Sequence, residues 1–315
     1  LGDVYKRQQF TVGIPMWNDV MNKSTIANIH TLSSVCAMLL FLPCSGVLSK
    51  LAMMTVPSSA EEAQEMSMPV LDERLFKSPA VALQQAKNAV VKMSRRAARN
   101  VTLATPLLLK MDEDVVSAIN VRENLIDRME VEISNYLIKL ADQELGDAES
   151  HEVTELLNFV TECERIGDYA VNIKEKAQEL ADKEVAFSEM AQQELKLLDK
   201  ALEKILTLTA DAFEADDGRM ASQVEPLEQV IDDLKEQLRT RHILRMQQGQ
   251  CSIEAGFVWS DLLTDLERTS DHCSNIAGCV IDAAHHDLNM HATLDAARRR
   301  DPDFREQYQR CAAKY

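Results

Sequence analysis

Glu123 and Asp127 stand four residues apart, as do Glu164 and Asp168, Glu228 and Asp232, and Glu267 and Asp271. On a helix that spacing puts both carboxylates of a pair on one face, one turn apart. Carboxylates crowded at one level repel unless a cation sits among them or some keep their protons. An all-oxygen donor set suits hard or intermediate cations such as Mg²⁺, Mn²⁺, Ca²⁺ or Fe. Metal binding is therefore the chemistry these residues offer. The plain alternative for any one pair is a solvated face, or pairing with Arg122, Arg165 or Arg268.

The pairs come in two sets. Glu123-Asn-Leu-Ile-Asp127 recurs as Glu228-Gln-Val-Ile-Asp232, offset by 105 residues. Glu164-Arg-Ile-Gly-Asp168-Tyr-Ala-Val-Asn172 recurs as Glu267-Arg-Thr-Ser-Asp271-His-Cys-Ser-Asn275, offset by 103. A duplication of this size implies two similar bundles rather than a solenoid. In an antiparallel hairpin, residues at one height lie symmetrically about the turn. Pairing Asp127 with Glu164 and Glu123 with Asp168 centres both pairs on position 145.5, beside Gly146. Pairing Asp232 with Glu267 and Glu228 with Asp271 centres both on 249.5, beside Gly249. Each hairpin thus brings four carboxylates to one level, about 20 residues or roughly 30 Å from its turn. Glu123, Asp127, Glu164 and Asp168 are expected to form one site, and Glu228, Asp232, Glu267 and Asp271 the other. Asn172 and Asn275, one turn past each Asp, either add carbonyl ligands or hydrogen-bond the carboxylates. His272 follows Asp271 and so points roughly 100° round the helix, away from the site.

Long helices are needed to hold such levels, and the composition favours them: nine Gly, eight Pro and 5% aromatic residues in 315. Ser78-Pro79 makes a helix start and Pro106 a break. Further helices are expected from about Asp112 to Ala141, Ser150 to Lys183, Ser188 to Asp217-Gly218, then on to Gln248, and from Ser252 to His285. These give an all-α fold of two three-helix bundles over residues 75–186 and 187–288. A tail over 289–315, basic at Arg298, Arg299 and Arg300, shows no period and reads as frayed.

Upstream, the chain begins with Leu, and residues 1–23 read as the start of a fragment, with 1–8 resembling a sequencing-adaptor translation to be set aside. Ser24 to Ser49 is a run of 26 residues without Asp, Glu, Lys or Arg. About 20 apolar residues cross a bilayer, so residues 24–54 read as a membrane helix, diluted by Ser33, Ser34, Pro43, Ser45 and Gly46. A buried core helix or an uncleaved signal-like segment is the alternative. Residues 55–74, with Pro57 and Pro69, read as a linker.

A formal net charge of -17 opposes nucleic-acid binding, which needs clustered Lys and Arg. Seven scattered cysteines without a CxxC pair point to no disulfide framework or zinc knuckle. No Gly-rich phosphate loop or nucleophile-and-base arrangement is apparent. A ferritin-like metal enzyme calls for Glu-x-x-His, which does not occur here. The chain is therefore expected not to be an enzyme.

The twin Glu-Arg-x-x-Asp-x-x-x-Asn blocks, each with its upstream ExxxD, resemble PhoU proteins. That resemblance implies a six-helix fold that binds metal clusters at these motifs and regulates phosphate uptake. The segment Thr25-Ile26-Ala27-Asn28-Ile29-His30-Thr31-Leu32 with Pro57 looks like the last membrane stretch of bacterial sodium/phosphate symporters, where PhoU-like domains often follow. On that resemblance the chain is the regulatory end of a sodium-dependent phosphate transporter. It then sits in the bacterial inner (plasma) membrane with its PhoU-like part cytoplasmic. Its partners are its own transport domain, which handles sodium and phosphate, and further copies of itself as a homo-oligomer. The alternative is a free-standing PhoU-like regulator acting on a phosphate permease and its sensor kinase.

Overall fold

Apolar residues recurring every three to four positions, punctuated by well-placed caps, divide this chain into helices. The structure is a computed structural model, and it describes residues 67–285 and 302–315 together with His30, Thr31, Ser34 and Val35. Residues 65–315 cluster as one compact unit, and its described residues hold helices and loops but no strand.

Helix α1 (Pro79–Ala104) starts where Ser78-Pro79 predicts, with Pro at the position whose N–H has no helical partner. It ends before Pro106 in a short 3₁₀ turn, Thr105–Leu108. Asp112 caps α2 (Glu113–Ala141), accepting from the N–H groups of Asp114 and Val115. Helix α3 (Asp147–Asp182) starts three residues earlier than predicted, because the Glu149 side chain reaches back to the Gly146 N–H at 2.9 Å. Ser188 caps α4 (Glu189–Ala215), which Asp216 closes in the left-handed conformation. A single turn, Gly218–Ala221, leads into α5 (Val224–Gln247). Gly249, at φ 67°, makes the following turn, and α6 (Ile253–His285) begins behind a Ser252 hydroxyl that accepts from the Ala255 N–H.

Helices α1, α2 and α3 pack on one another, as do α4, α5 and α6; the two trios meet mainly through α3 on α6 and α1 on α4. The buried face of α1 carries Ala82, Ala86, Ala89, Ala97 and Ala104, small side chains that let α3 approach closely. A buried ion pair joins α4 to α5. Arg245 Nη1 donates to Glu194 Oε1 at 3.0 Å, and Nη2 lies 2.8 Å from Oε2, an ionic contact rather than a well-aligned hydrogen bond.

Two expectations are corrected. The tail is not frayed over its whole length: Pro302–Lys314 forms helix α7, which packs on α5. Its Tyr308 hydroxyl donates to Asp233 at 2.5 Å, and Cys311 and Tyr315 rest against the core. Pro302 at the first helical position is the start signal that the neighbouring arginines masked. The membrane placement is also corrected. No helix among the described residues is long and apolar enough to cross a membrane. Each long helix keeps charged residues on its outer face, such as Arg95 on α1 and Lys200 on α4, and a charge at bilayer centre costs about 2.5–3.5 kcal/mol on insertion. The expected membrane segment, residues 24–54, lies outside the described residues except for four positions.

Candidate functional site

In the first hairpin, α2 supplies Glu123 and Asp127, and α3 supplies Glu164 and Asp168. Gly167 lets them meet. A Cβ there would lie 3.1 Å from Glu123 Oε2 and 3.3 Å from two Ile126 carbons, so the bare glycine makes room for the Glu123 carboxyl. From α1, the fully buried Asn100 points its Nδ2 at Glu123 Oε2 over 3.5 Å and at the Ile119 carbonyl over 3.3 Å. Glu123 Oε1 is buried with no hydrogen-bond partner.

The electrostatics follow from this crowding. Burial, then Asp127, Asp168 and Glu164 in turn, push the Glu123 carboxyl up to about 8. Glu164 is raised by burial, Asp168 and Glu130, and Asp168 by burial and Asp127. Glu123, Asp127, Glu164 and Asp168 are therefore neighbours, and hydrogen bonds with Glu123 and Glu164 work the other way on Asp168, lowering it. Glu130, one turn beyond Asp127, adds a fifth that the motif reading missed. Asn172 is partly buried one turn past Asp168 and makes no hydrogen bond to them. Among the described residues, no three His, Cys, Asp or Glu side chains converge closely enough to hold an ion as they stand.

The second hairpin differs. Glu228 is 7% exposed on α5, and Asp232, Glu267 and Asp271 are partly buried. Lys235 sits among them, its Nζ 3.1 Å from Glu267 and 3.4 Å from Asp232. Burial works against the Lys235 ammonium, but Glu267 and Asp232 outweigh it and hold its pKa above the ordinary lysine range. Arg268 lies 4.0 Å from Glu267 and 3.7 Å from Asp271. Burial and Glu267 still raise Asp271. The 105-residue offset that carries Glu123 onto Glu228 carries Glu130 onto Lys235. An acid in one hairpin is thus an ammonium in the other.

Between the trios, α3 and α6 cross antiparallel. His272 Nδ1 lies 2.7 Å from Glu162 Oε2, and Asn275 Nδ2 donates to the same oxygen at 3.0 Å. Lys176 answers from α3 with an ion pair to Asp265 at 2.7 Å. The rings of Tyr169 and His272, which occupy matching positions of the two repeats, face each other at 5.6 Å. His272 does turn away from the carboxylates. Asn275 is corrected: it serves Glu162 across the repeat boundary instead of the acidic cluster beside it. No sequence signal could have named that partner, because it lies 113 residues away. His272→Ala removes one of two hydrogen bonds to this half-buried carboxylate and should cost about 1–3 kcal/mol. A thermal melt checks this; an unchanged midpoint would remove the contact from any account of how the trios are joined.

A family model described as the PhoU domain matches residues 90–177 and again residues 195–280, together more than half of the chain. The chain belongs to the PhoU domain family. Known PhoU relatives include the phosphate-specific transport system accessory protein PhoU homolog 1 of Thermotoga maritima, 27% identical over 197 residues, 62% of this chain and 84% of that one. The corresponding PhoU homolog of Deinococcus radiodurans is 23% identical over 201 residues, covering 62% and 91%. Two solved structures share the fold. PhoU from Pseudomonas aeruginosa gives a TM-score of 0.61 at 21% identity, covering 65% of this chain and 98% of that one. The phosphate transport system regulatory protein PhoU from Streptococcus pneumoniae gives 0.60 at 18%, covering 67% and 99%.

The two PhoU matches each contain one acidic hairpin, so the family repeat and the chemical repeat coincide. The architecture is an all-helical PhoU-like fold. The resemblance to sodium/phosphate symporters is not supported: these relatives are named as transport accessory proteins. The comparisons thus favour the alternative, a free-standing PhoU-like regulator, over the regulatory end of a transporter.

Proposed function

We propose that this PhoU-family protein is an accessory regulator of phosphate uptake whose first acidic cluster reads a cation, Mg²⁺, Mn²⁺, Ca²⁺ or an iron ion. The names of its relatives support the first half of that reading. The observation that carries the second is Glu123, a half-buried carboxyl with one buried, unpartnered oxygen beside three further acids. The donor set fits: Glu123, Asp127, Glu164 and Asp168 would hold the ion, with Glu130 in reserve. Bound there, the ion supplies the positive charge that lets all four acids ionise together. Without it, Glu123 keeps its proton and repulsion among the remaining carboxylates loosens the seam between α2 and α3. Occupancy thus sets the packing of the first trio, and so the surface shown to a phosphate permease or its sensor kinase. No catalytic step belongs to this reading.

The second cluster, Glu228, Asp232, Glu267 and Asp271, is a weaker site in the same proposal, because Lys235 already offsets part of its charge at Asp232 and Glu267. Elemental analysis of the purified full chain tests both statements. Metal should be retained by the natural sequence and lost in Glu123→Ala/Glu164→Ala/Asp168→Ala. Lys235→Glu, which restores the acid of the first hairpin, should raise the bound metal. Absence of metal from all three proteins, with melting unchanged on adding Mn²⁺ or Mg²⁺, would sink the metal reading and leave the accessory role standing.

A further inference from the structure

Near the turn that joins α5 to α6, the two helices border a cavity of about 280 Å³, with His242, Met246, Gly256 and Trp259 among its lining. His242 is 4% exposed, and neither of its ring nitrogens has a hydrogen-bond partner. A buried polar group left in that state costs about 1–3 kcal/mol, so packing alone gives no reason for a histidine here. Burial, and then the Arg245 guanidinium, hold the imidazole below the ordinary histidine range, outweighing Glu194. The ring is therefore neutral at pH 7, and one of its nitrogens carries a lone pair.

Met246 follows His242 by four residues on α5, so both side chains lie on one helix face. They reach the same spot against α6, where Gly256 makes room for them. A Cβ at Gly256 would lie 2.5 Å from Met246 Sδ and 3.1 Å from His242 Nε2. The thioether sulfur and the imidazole nitrogen are thus neighbours beside a bare stretch of helix. Trp259 borders the same cavity, its ring centred 5.8 Å from the imidazole and inclined to it by 27°.

We propose that His242 Nε2 and Met246 Sδ are ligands for a soft monovalent metal ion, Cu⁺, bound in this cavity beside the Trp259 ring. A thioether selects Cu⁺ and an imidazole suits copper, whereas hard cations such as Mg²⁺ and Ca²⁺ take oxygen donors. The walls agree with that choice. Ile243, Ile253 and Phe257 give the cavity an apolar border, which disfavours a strongly hydrated ion. Arg239 also borders it, and a fixed positive charge opposes a divalent ion twice as strongly as a monovalent one. The indole of Trp259 adds the attraction of an aromatic face for a cation. The acidic clusters offer oxygen alone, so this site differs from them in the ion it takes and does not rest on their reading.

Trp259 emission reads the site directly, in the full chain carrying Trp17→Phe so that Trp259 is its single tryptophan. Cu⁺, added without oxygen and kept reduced, should quench that emission, and Mn²⁺ or Mg²⁺ should not. His242→Leu and Met246→Leu should each weaken the binding read this way by about tenfold or more. His242→Leu also exchanges unpaired nitrogens for apolar bulk, so it should melt no lower than the natural sequence. Cys251→Ser, at the neighbouring turn, should leave the quenching intact. Emission indifferent to Cu⁺, or equally responsive to Mn²⁺, overturns the proposal. Quenching that survives both leucine variants, or that disappears with Cys251, overturns it as well and moves the copper to the thiols.

Discussion

Glu123→Gln should raise the melting temperature of the metal-free protein at pH 8 and leave it unchanged at pH 4. The Glu123 carboxyl is pushed from an ordinary 4.5 up to about 8 in the fold. Below about pH 4.5 it carries its proton whether folded or not, and contributes nothing. Between that pH and 8 the unfolded chain releases the proton while the folded chain keeps it, so unfolding gains with every pH unit. Above 8 both forms are ionised and the penalty levels off. Each unit is worth about 1.4 kcal/mol in full, but this group is only half-buried, and solvent screening reduces the total to about 1–2 kcal/mol. Glutamine keeps the shape and the contact with Asn100 while removing the charge. The gain at pH 8 should be about 3–6 °C. The same variant should lose the stabilisation by added Mn²⁺ or Mg²⁺, about 2.7 kcal/mol for the natural sequence at a hundredfold excess over its dissociation constant. Measured melts at pH 4, 6 and 8 decide it, and a flat difference across that range would show that Glu123 is solvated instead of crowded.

Glu194→Ala should be the most damaging single change described. Arg245 is 4% exposed, and Glu194 meets its guanidinium along two edges. Removing the acid leaves a buried cation facing nothing, which costs about 3–5 kcal/mol, or roughly 6–15 °C. Glu194→Met/Arg245→Met, replacing both charges with apolar bulk, should recover most of the loss. A single variant that melts within about a degree of the natural sequence would be incompatible with a buried pair between α4 and α5.

Much of this architecture was legible because it is local. Ser78-Pro79, Asp112 and Ser188 mark helix starts through chemistry confined to one turn, and the turns at Gly146 and Gly249 follow from arithmetic on the acidic motifs. What escaped was of two kinds. Lys235 was visible all along at the position matching Glu130, but the motif reading compared acids with acids and did not ask what stood between them. The bonds from His272 and Asn275 to Glu162 were not visible, since which faces of α3 and α6 meet depends on how two trios dock. The uncharged run from Ser24 to Ser49 drew the reading towards a transporter, whereas the long helices that follow are one-sided, with apolar stripes turned to their neighbours and charges turned out.

The antiparallel crossing of α3 and α6, with Tyr169 against His272 at its centre, has an ancestry written into it. Two identical three-helix chains could have met across that same crossing as equals, and a mutation in either would then have appeared in both. Fusion into one polypeptide released them from that obligation. One half could become a lysine-closed acidic hairpin while the other stayed open. The division of labour between the halves is what a duplicated gene gains and a symmetric dimer never can.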